Sequence, residues 1–220
     1  MTARFNALLV EGVPGIGKST LIDALLRRHV DSAPARKLRT LVHLAQTHTF
    51  GPLAAPGDAG TLTVPANRAH LERIAGMMEW LHADVQHPAH PPCFVVIDTL
   101  HLTHCLRPGV LEWSDVAEFD DRLAALGCKL LLLRAQSNVV RERSVDARWE
   151  TSFVRDYAVR FGRTHDELHA YFLREQERFA DMFARSAMPK LQLANDGAVE
   201  DVLDEAYALW RSEEGAVRAF

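Results

Sequence analysis

The chain has 220 residues, 48% of them hydrophobic and 25% charged, with a formal net charge of −4. That size and mixture describe one globular domain with a core of its own, and exclude a disordered chain. The mild acidity offers no electrostatic footprint for nucleic acid or an anionic membrane, so neither is expected as a partner. Cys93, Cys105 and Cys128 form no CxxC pair and no disulfide framework. No window approaches the roughly 18 uninterrupted apolar residues of a membrane span, and MTARFNALLVEG lacks the apolar core of a signal peptide, so the expected location is the cytoplasm.

Residues 5–10 form an early run that is apolar but for Asn6, the pattern of a strand buried on both faces. Directly after it, Gly12 to Ser19 match the spacing Gly, four residues, Gly, Lys, Ser or Thr. In such a loop successive backbone N–H groups converge on phosphate oxygens, and the following helix adds its positive end. Gly12, Gly15 and Gly17 provide the backbone freedom, Lys18 is long enough to reach a transferred phosphate, and the Ser19 hydroxyl is a magnesium ligand. A helix is predicted from near Lys18 to His29, with Leu21, Ile22, Leu25 and Leu26 as its buried stripe.

A second strand is predicted over residues 41–45. Residues 46–66 are rich in turn formers and too long for an ordinary connection, which makes them an acceptor-binding loop or a plain surface excursion. Thr47, His48 and Thr49 there offer hydrogen bonds without specifying a base. After a helix over 68–85 and a linker at 86–92, the strand at 94–97 ends on Asp98, where the carboxyl edge of a parallel strand faces the ligand crevice. A carboxylate in that position can hold magnesium through water, accept a proton from an attacking hydroxyl, or cap the strand. His101, His104 and Cys105 lie close together but not in a zinc pattern, so they are read as a surface or pocket-edge group.

A helix over 113–126 and a strand over 130–133 follow. A helix predicted over 139–161 would carry Arg141, Arg148 and Arg155, seven residues apart, on one side. Residues 135–163 are accordingly either a lid that brings a guanidinium over phosphates or, given Glu142, Asp146, Glu150 and Asp156, a solvated face. Thr164 and Glu167 fit a capping box for the helix over 164–187, whose Leu168, Phe172, Phe179 and Phe183 bury one face. A strand at 191–193 and a helix at 199–210 complete an α/β alternation in a single domain spanning residues 1–220.

These segments resemble the P-loop nucleoside and nucleotide kinases, most nearly the thymidylate kinase group. EGVPGIGKST is similar to their phosphate loop, including Glu11 before Gly12, and VVIDT to their strand-end Asp-Arg. LLLRAQSNVVRERSVDAR is similar to their strand and arginine-bearing lid, and LREQERFADMFARSAMPKLQLAN to their late helix and final strand. The resemblance implies a three-layer P-loop NTPase fold whose five-stranded parallel sheet has the order 2-3-1-4-5. It implies ATP and Mg2+, with the γ-phosphate passing to a small acceptor. Gly12, Val13, Pro14, Gly15, Ile16, Gly17, Lys18, Ser19 and Thr20 would cradle the nucleotide, Ser19 would associate with the metal, Asp98 with the metal or the acceptor, and Lys18 with Arg141, Arg143 or Arg148 would act on the phosphates.

Pro14 stands where thymidylate kinases usually carry an acidic residue, and Thr99 where they carry arginine. Either Arg68 or Arg73 therefore supplies the acceptor's phosphate contact or the acceptor is not dTMP. A nucleoside monophosphate is the first expectation, with a nucleoside or another small metabolite next. A regulatory or assembly ATPase without a small-molecule acceptor is the reading from a different class. A homodimer stays open.

Overall fold

Hydrophobic continuity decides which strands lie at the centre. Strands β1 (Phe5–Glu11) and β3 (Cys93–Asp98) are buried along their whole length, and β4 (Lys129–Arg134) is buried up to its last residue. By contrast, β2 (Thr40–Leu44) and β5 (Lys190–Ala194) are partly exposed, as the edges of a sheet must be. All neighbours pair in parallel, in the order β2-β3-β1-β4-β5, so the expected α/β sheet of order 2-3-1-4-5 is the observed one. The computed structural model describes residues 4–32, 39–49, 64–106, 111–151, 158 and 161–212.

The helices are α1 (Lys18–Asp31), α2 (Gln46–Thr49), α3 (Val64–Asp84), α4 (His101–Leu106), α5 (Trp113–Ala125), α6 (Ser137–Val140), α7 (His165–Arg185) and α8 (Glu200–Arg211). Strand register shows that they cover both sides. Phe5 pairs with Cys93, one residue before Phe94, so Phe5 and Phe94 point to opposite faces. Phe94 meets His29 of α1 and Trp210 of α8, whereas Phe5 meets His82 of α3. The winding changes side at β1, whose neighbours β3 and β4 are both distant in sequence. Such a switch point opens a crevice at the carboxyl end of the strand, and the glycine loop sits there.

Helix α7 starts on the predicted capping box. The Glu167 N–H donates to Thr164 Oγ1 at 3.2 Å, and the Thr164 N–H donates to Glu167 Oε2 at 3.2 Å. Leu168, Phe172 and Phe179 are buried on one face and Phe183 packs at its edge.

The predicted continuous helix over 139–161 is not what forms. After α6 the backbone makes a π-helical turn, Arg141–Val145, and a 3-10 turn, Asp146–Arg148, so Arg141 and Arg148 do not share one α-helical stripe. Arg155 lies outside the described residues, as do residues 50–63 of the predicted acceptor loop, whose two ends belong to α2 and α3. Among the described residues no helix is long and apolar enough to cross a membrane.

Candidate functional site

The loop between β1 and α1 is built from backbone, because its apolar side chains point inward. Val13 and Ile16 are fully buried, while Ser19 and Thr20 are exposed at the start of α1. Gly15 has φ 89°, and a Cβ there would lie 2.8 Å from the Ser144 Cα and 2.9 Å from the Arg143 carbonyl oxygen. Gly17 caps α1 with φ 94°, and its Cβ would lie 2.6 Å from Asn195 Nδ2. A side chain at either position would both strain the backbone and push a neighbouring element away. Asn195, buried just past β5, donates Nδ2–H to the Ile16 carbonyl at 2.6 Å and so fixes the loop from the far end of the chain.

Lys18 is almost wholly buried and donates Nζ–H to the carbonyls of Gly12 (2.7 Å) and Val13 (3.1 Å). Burial lowers its pKa, the carboxylates of Asp98 and Glu11 oppose that, and the charge of Arg148 works in the same direction as burial. Ser19 Oγ stands 3.5 Å from Asp98 Oδ2, and the Thr99 hydroxyl donates to Asp98 Oδ1 at 3.0 Å. Thr99 has φ 66°, the one positive φ outside glycine among the described residues. For a β-branched residue that is a costly conformation of the kind found where a chain must turn sharply at a site.

The turn leads into α4, which Glu11 holds in place. Its fully buried carboxylate accepts the N–H groups of Leu100 (2.8 Å) and Leu102 (3.2 Å) on one oxygen and the Thr103 hydroxyl (2.7 Å) on the other. Burial pushes the Glu11 pKa up against the opposing pull of His101 and these hydrogen bonds. The result is that strand β1, which carries the loop, also fixes the helix that follows Asp98.

In front of the loop lies a small cavity of about 20 Å³, room for roughly one water. It is lined by Gly12, Pro14 and Lys18 of the loop, and by Gln46, Thr99, Thr103, Leu106, Glu175 and Phe179. Arg68 and Arg73 do not line it. Arg68 is exposed and pairs with Asp115 at 2.8 Å, and Arg73 reaches His70 Nδ1 at 3.4 Å. Thr47 and His48 are exposed and 3.4 Å apart, whereas their neighbour Thr49 is buried and donates to the Asp98 carbonyl at 2.8 Å.

The Thr49 carbonyl accepts both His70 Nε2 (2.8 Å) and His104 Nε2 (3.1 Å). His104 is therefore an internal brace and not a surface group. His101 is likewise buried, 2.9 Å from Asp120, and Cys105 is buried beside them. Burial alone would raise the Asp120 pKa, but the hydrogen bond and charge of His101, the Ala187 N–H and the Ser186 hydroxyl hold it below the usual value. Among the described residues no cluster of three or more His, Cys, Asp or Glu is arranged to hold a metal ion.

The three arginines of the predicted lid go separate ways. Arg141 pairs with Asp166 at 2.7 Å and Asp146 at 3.7 Å. Arg143 donates to the carbonyls of Asn195 (3.0 Å), Asp196 (3.2 Å) and Gly197 (2.9 Å), tying the π turn to the segment after β5. Arg148 is the one whose charge is felt at Lys18.

No protein-family model matches the chain, and no curated protein matches it either. A similar solved structure is the crystal structure of the YorR protein from Bacillus subtilis in complex with phosphorylated GDP, with a TM-score of 0.55 and 12% sequence identity over 92% of this chain and 94% of that one. The sheet order and the glycine loop after β1 decide the fold. It is a P-loop NTPase fold.

Around this P-loop, sequence reasoning left Asn195, Thr103 and Glu175 without a role. Asn195 followed an apolar strand run and Glu175 sat inside an amphipathic helix, so neither had a local signal. Glu11 had one, as an acidic residue in a mostly apolar strand, but not its partners in α4.

Proposed function

We propose that the chain is a phosphotransferase that takes the γ-phosphate of ATP, with Mg2+, to a small acceptor. The carrying observation is that Lys18 serves the P-loop and also faces the cavity that the loop forms with Thr99, Thr103 and Glu175. A hydrolytic switch needs the P-loop only. The phosphorylated GDP in the structurally similar YorR complex supports a nucleoside phosphate at the loop.

Ser19, exposed at the start of α1, and Asp98, buried at the end of β3, are hard oxygen donors 3.5 Å apart, a donor set that fits Mg2+. When bound, that ion offsets charge on the donor phosphate oxygens. The backbone from Gly12 to Thr20 cradles the phosphates, and Lys18 supplies a focused charge beside the group in transfer. Among Arg141, Arg143 and Arg148, Arg148 is assigned to the phosphates, because its charge acts on Lys18. Asp98 is assigned to the metal, since one of its oxygens faces Ser19 and the other is held by Thr99. A nucleoside monophosphate is the acceptor that the resemblance to thymidylate kinases implies.

The test is ADP release measured with ATP, Mg2+ and a panel of acceptors, with mass detection of the phosphorylated product. Acceptor-dependent ADP with matching product is expected, and Lys18→Ala lowers turnover on the order of 100-fold or more, with a smaller effect on the melting temperature. Steady hydrolysis that no acceptor changes, with no phosphorylated product, gives the protein to the ATPase class instead.

A further inference from the structure

Resting on the reading that the P-loop holds ATP, we propose that Ser144 is a phosphate-binding residue, whose hydroxyl donates a hydrogen bond to a phosphate oxygen of the bound nucleotide. Ser144 lies in the π-helical turn Arg141–Val145 and is fully buried, as are Val140 before it and Val145 after it. Its Oγ has no hydrogen-bond partner among the described residues. A helical serine ordinarily settles its hydroxyl on the carbonyl four residues back, and this one does not. A buried hydroxyl left unpaired destabilises a fold, whereas a methyl group in the same place would not. The position therefore carries a polar atom that the packing around it does not use.

That atom is aimed at the phosphate loop. A Cβ built on Gly15 would lie 2.8 Å from Ser144 Oγ, so the hydroxyl stands directly against the backbone of the loop's middle glycine. The N–H groups of such a loop converge on phosphate oxygens, and phosphate oxygens accept hydrogen bonds, so a side chain that completes the cradle has to donate. Asn195 Oδ1 is a second buried atom without a partner beside the loop, but an amide oxygen only accepts, and its Nδ2–H is spent on the Ile16 carbonyl. Ser144 has its proton to give.

The turn around Ser144 is held by its neighbours. Arg141 pairs with Asp166, and Arg143 donates to the carbonyls of Asn195, Asp196 and Gly197, so Ser144 is kept against Gly15 without a side-chain bond of its own. π turns are rare and are found frequently at functional sites, which fits a segment whose winding places one hydroxyl. In a glycine-rich loop the backbone holds the α- and β-phosphates, and the lysine reaches the β- and γ-phosphates. Gly15 belongs to the backbone part, so the contact is assigned to the β-phosphate, which ATP and ADP share.

Calorimetric titration of wild type and Ser144→Ala with ATP and with ADP, each with Mg2+, tests this beside thermal melts of the nucleotide-free proteins. Both nucleotides should bind at least 10-fold more weakly to the variant, the usual weight of a hydrogen bond to a charged group. The variant's melting temperature should equal or exceed that of wild type, since the hydroxyl has no partner to lose. Weaker binding together with a lower melting temperature makes Ser144 a structural support and overturns the proposal. Equal affinity in the two proteins overturns it and leaves the phosphotransfer reading standing. A loss confined to ATP overturns the assignment to the shared phosphate. Ser144→Cys keeps a similar shape with a much weaker donor and should follow Ser144→Ala, so wild-type affinity in that variant also counts against a hydrogen bond. A wild-type chain that binds neither nucleotide overturns this proposal and the phosphotransfer reading together.

Discussion

Asn195 holds the Ile16 carbonyl with a single buried N–H, and its amide occupies the space that any side chain at Gly17 would need. Asn195→Ala removes the donor and leaves a loop carbonyl to find water or none. A loss of about 1–3 kcal/mol of stability is expected, the usual cost of stranding a buried polar group, and thermal melts would measure it. Because the affected carbonyl lies within the phosphate loop, calorimetric ATP affinity should fall by roughly a factor of ten for each 1.4 kcal/mol by which the shaped loop is disfavoured. Unchanged affinity in the folded variant would mean that the loop holds its shape without this contact. Glu11 works in the same manner toward α4, accepting from Leu100, Leu102 and Thr103. The eight-residue motif could be read from the sequence because its spacing is local. Its supports could not, because they come from residues 179 and about 90 positions away.

Helix α7 shows what made some elements readable. Its 21 residues carry a capping box at one end and Leu168, Phe172 and Phe179 at helical intervals, so propensity, periodicity and burial agree. Thr164→Ala should cost about 1 kcal/mol through the lost cap, seen as a drop in melting temperature, and Thr164→Asp should restore most of it. Helix α4 sent no such signal. It has six residues, all buried, and a short helix buried on every side has no amphipathic period to detect. The segment predicted as a lid failed for a third reason, since charged residues at seven-residue intervals fit a continuous helix on paper. The structure instead winds the segment into π and 3-10 turns, which brings the Arg143 carbonyl and Ser144 against Gly15.

At the scale of the whole molecule, the face of the sheet covered by α1 and α8 contains a titratable group in an aromatic setting. His29 lies between Phe94 and Trp210 and is 2% exposed; burial first, then the charges of Arg39 and Arg211, lower its pKa to about 4. A depressed histidine is neutral when folded and protonates more readily when unfolded. The stability it contributes is therefore complete above the ordinary value near 6.5 and is lost as pH falls toward and through 4, amounting to about 3 kcal/mol at about 1.4 kcal/mol per unit. Urea melts across that window should show the decline, and His29→Phe should flatten it. The sheet order has a consequence in time as well as in space. Because β1 is central and β5 is last, the P-loop sequence leaves the ribosome long before Asn195 does. At about 5–20 residues per second, the 179 positions between them correspond to roughly 10–40 s of synthesis. Throughout that interval a nascent chain displays the full motif without the contact that finishes its shape, so competence to grip a nucleotide arrives with the last strand and marks a chain whose sheet is complete.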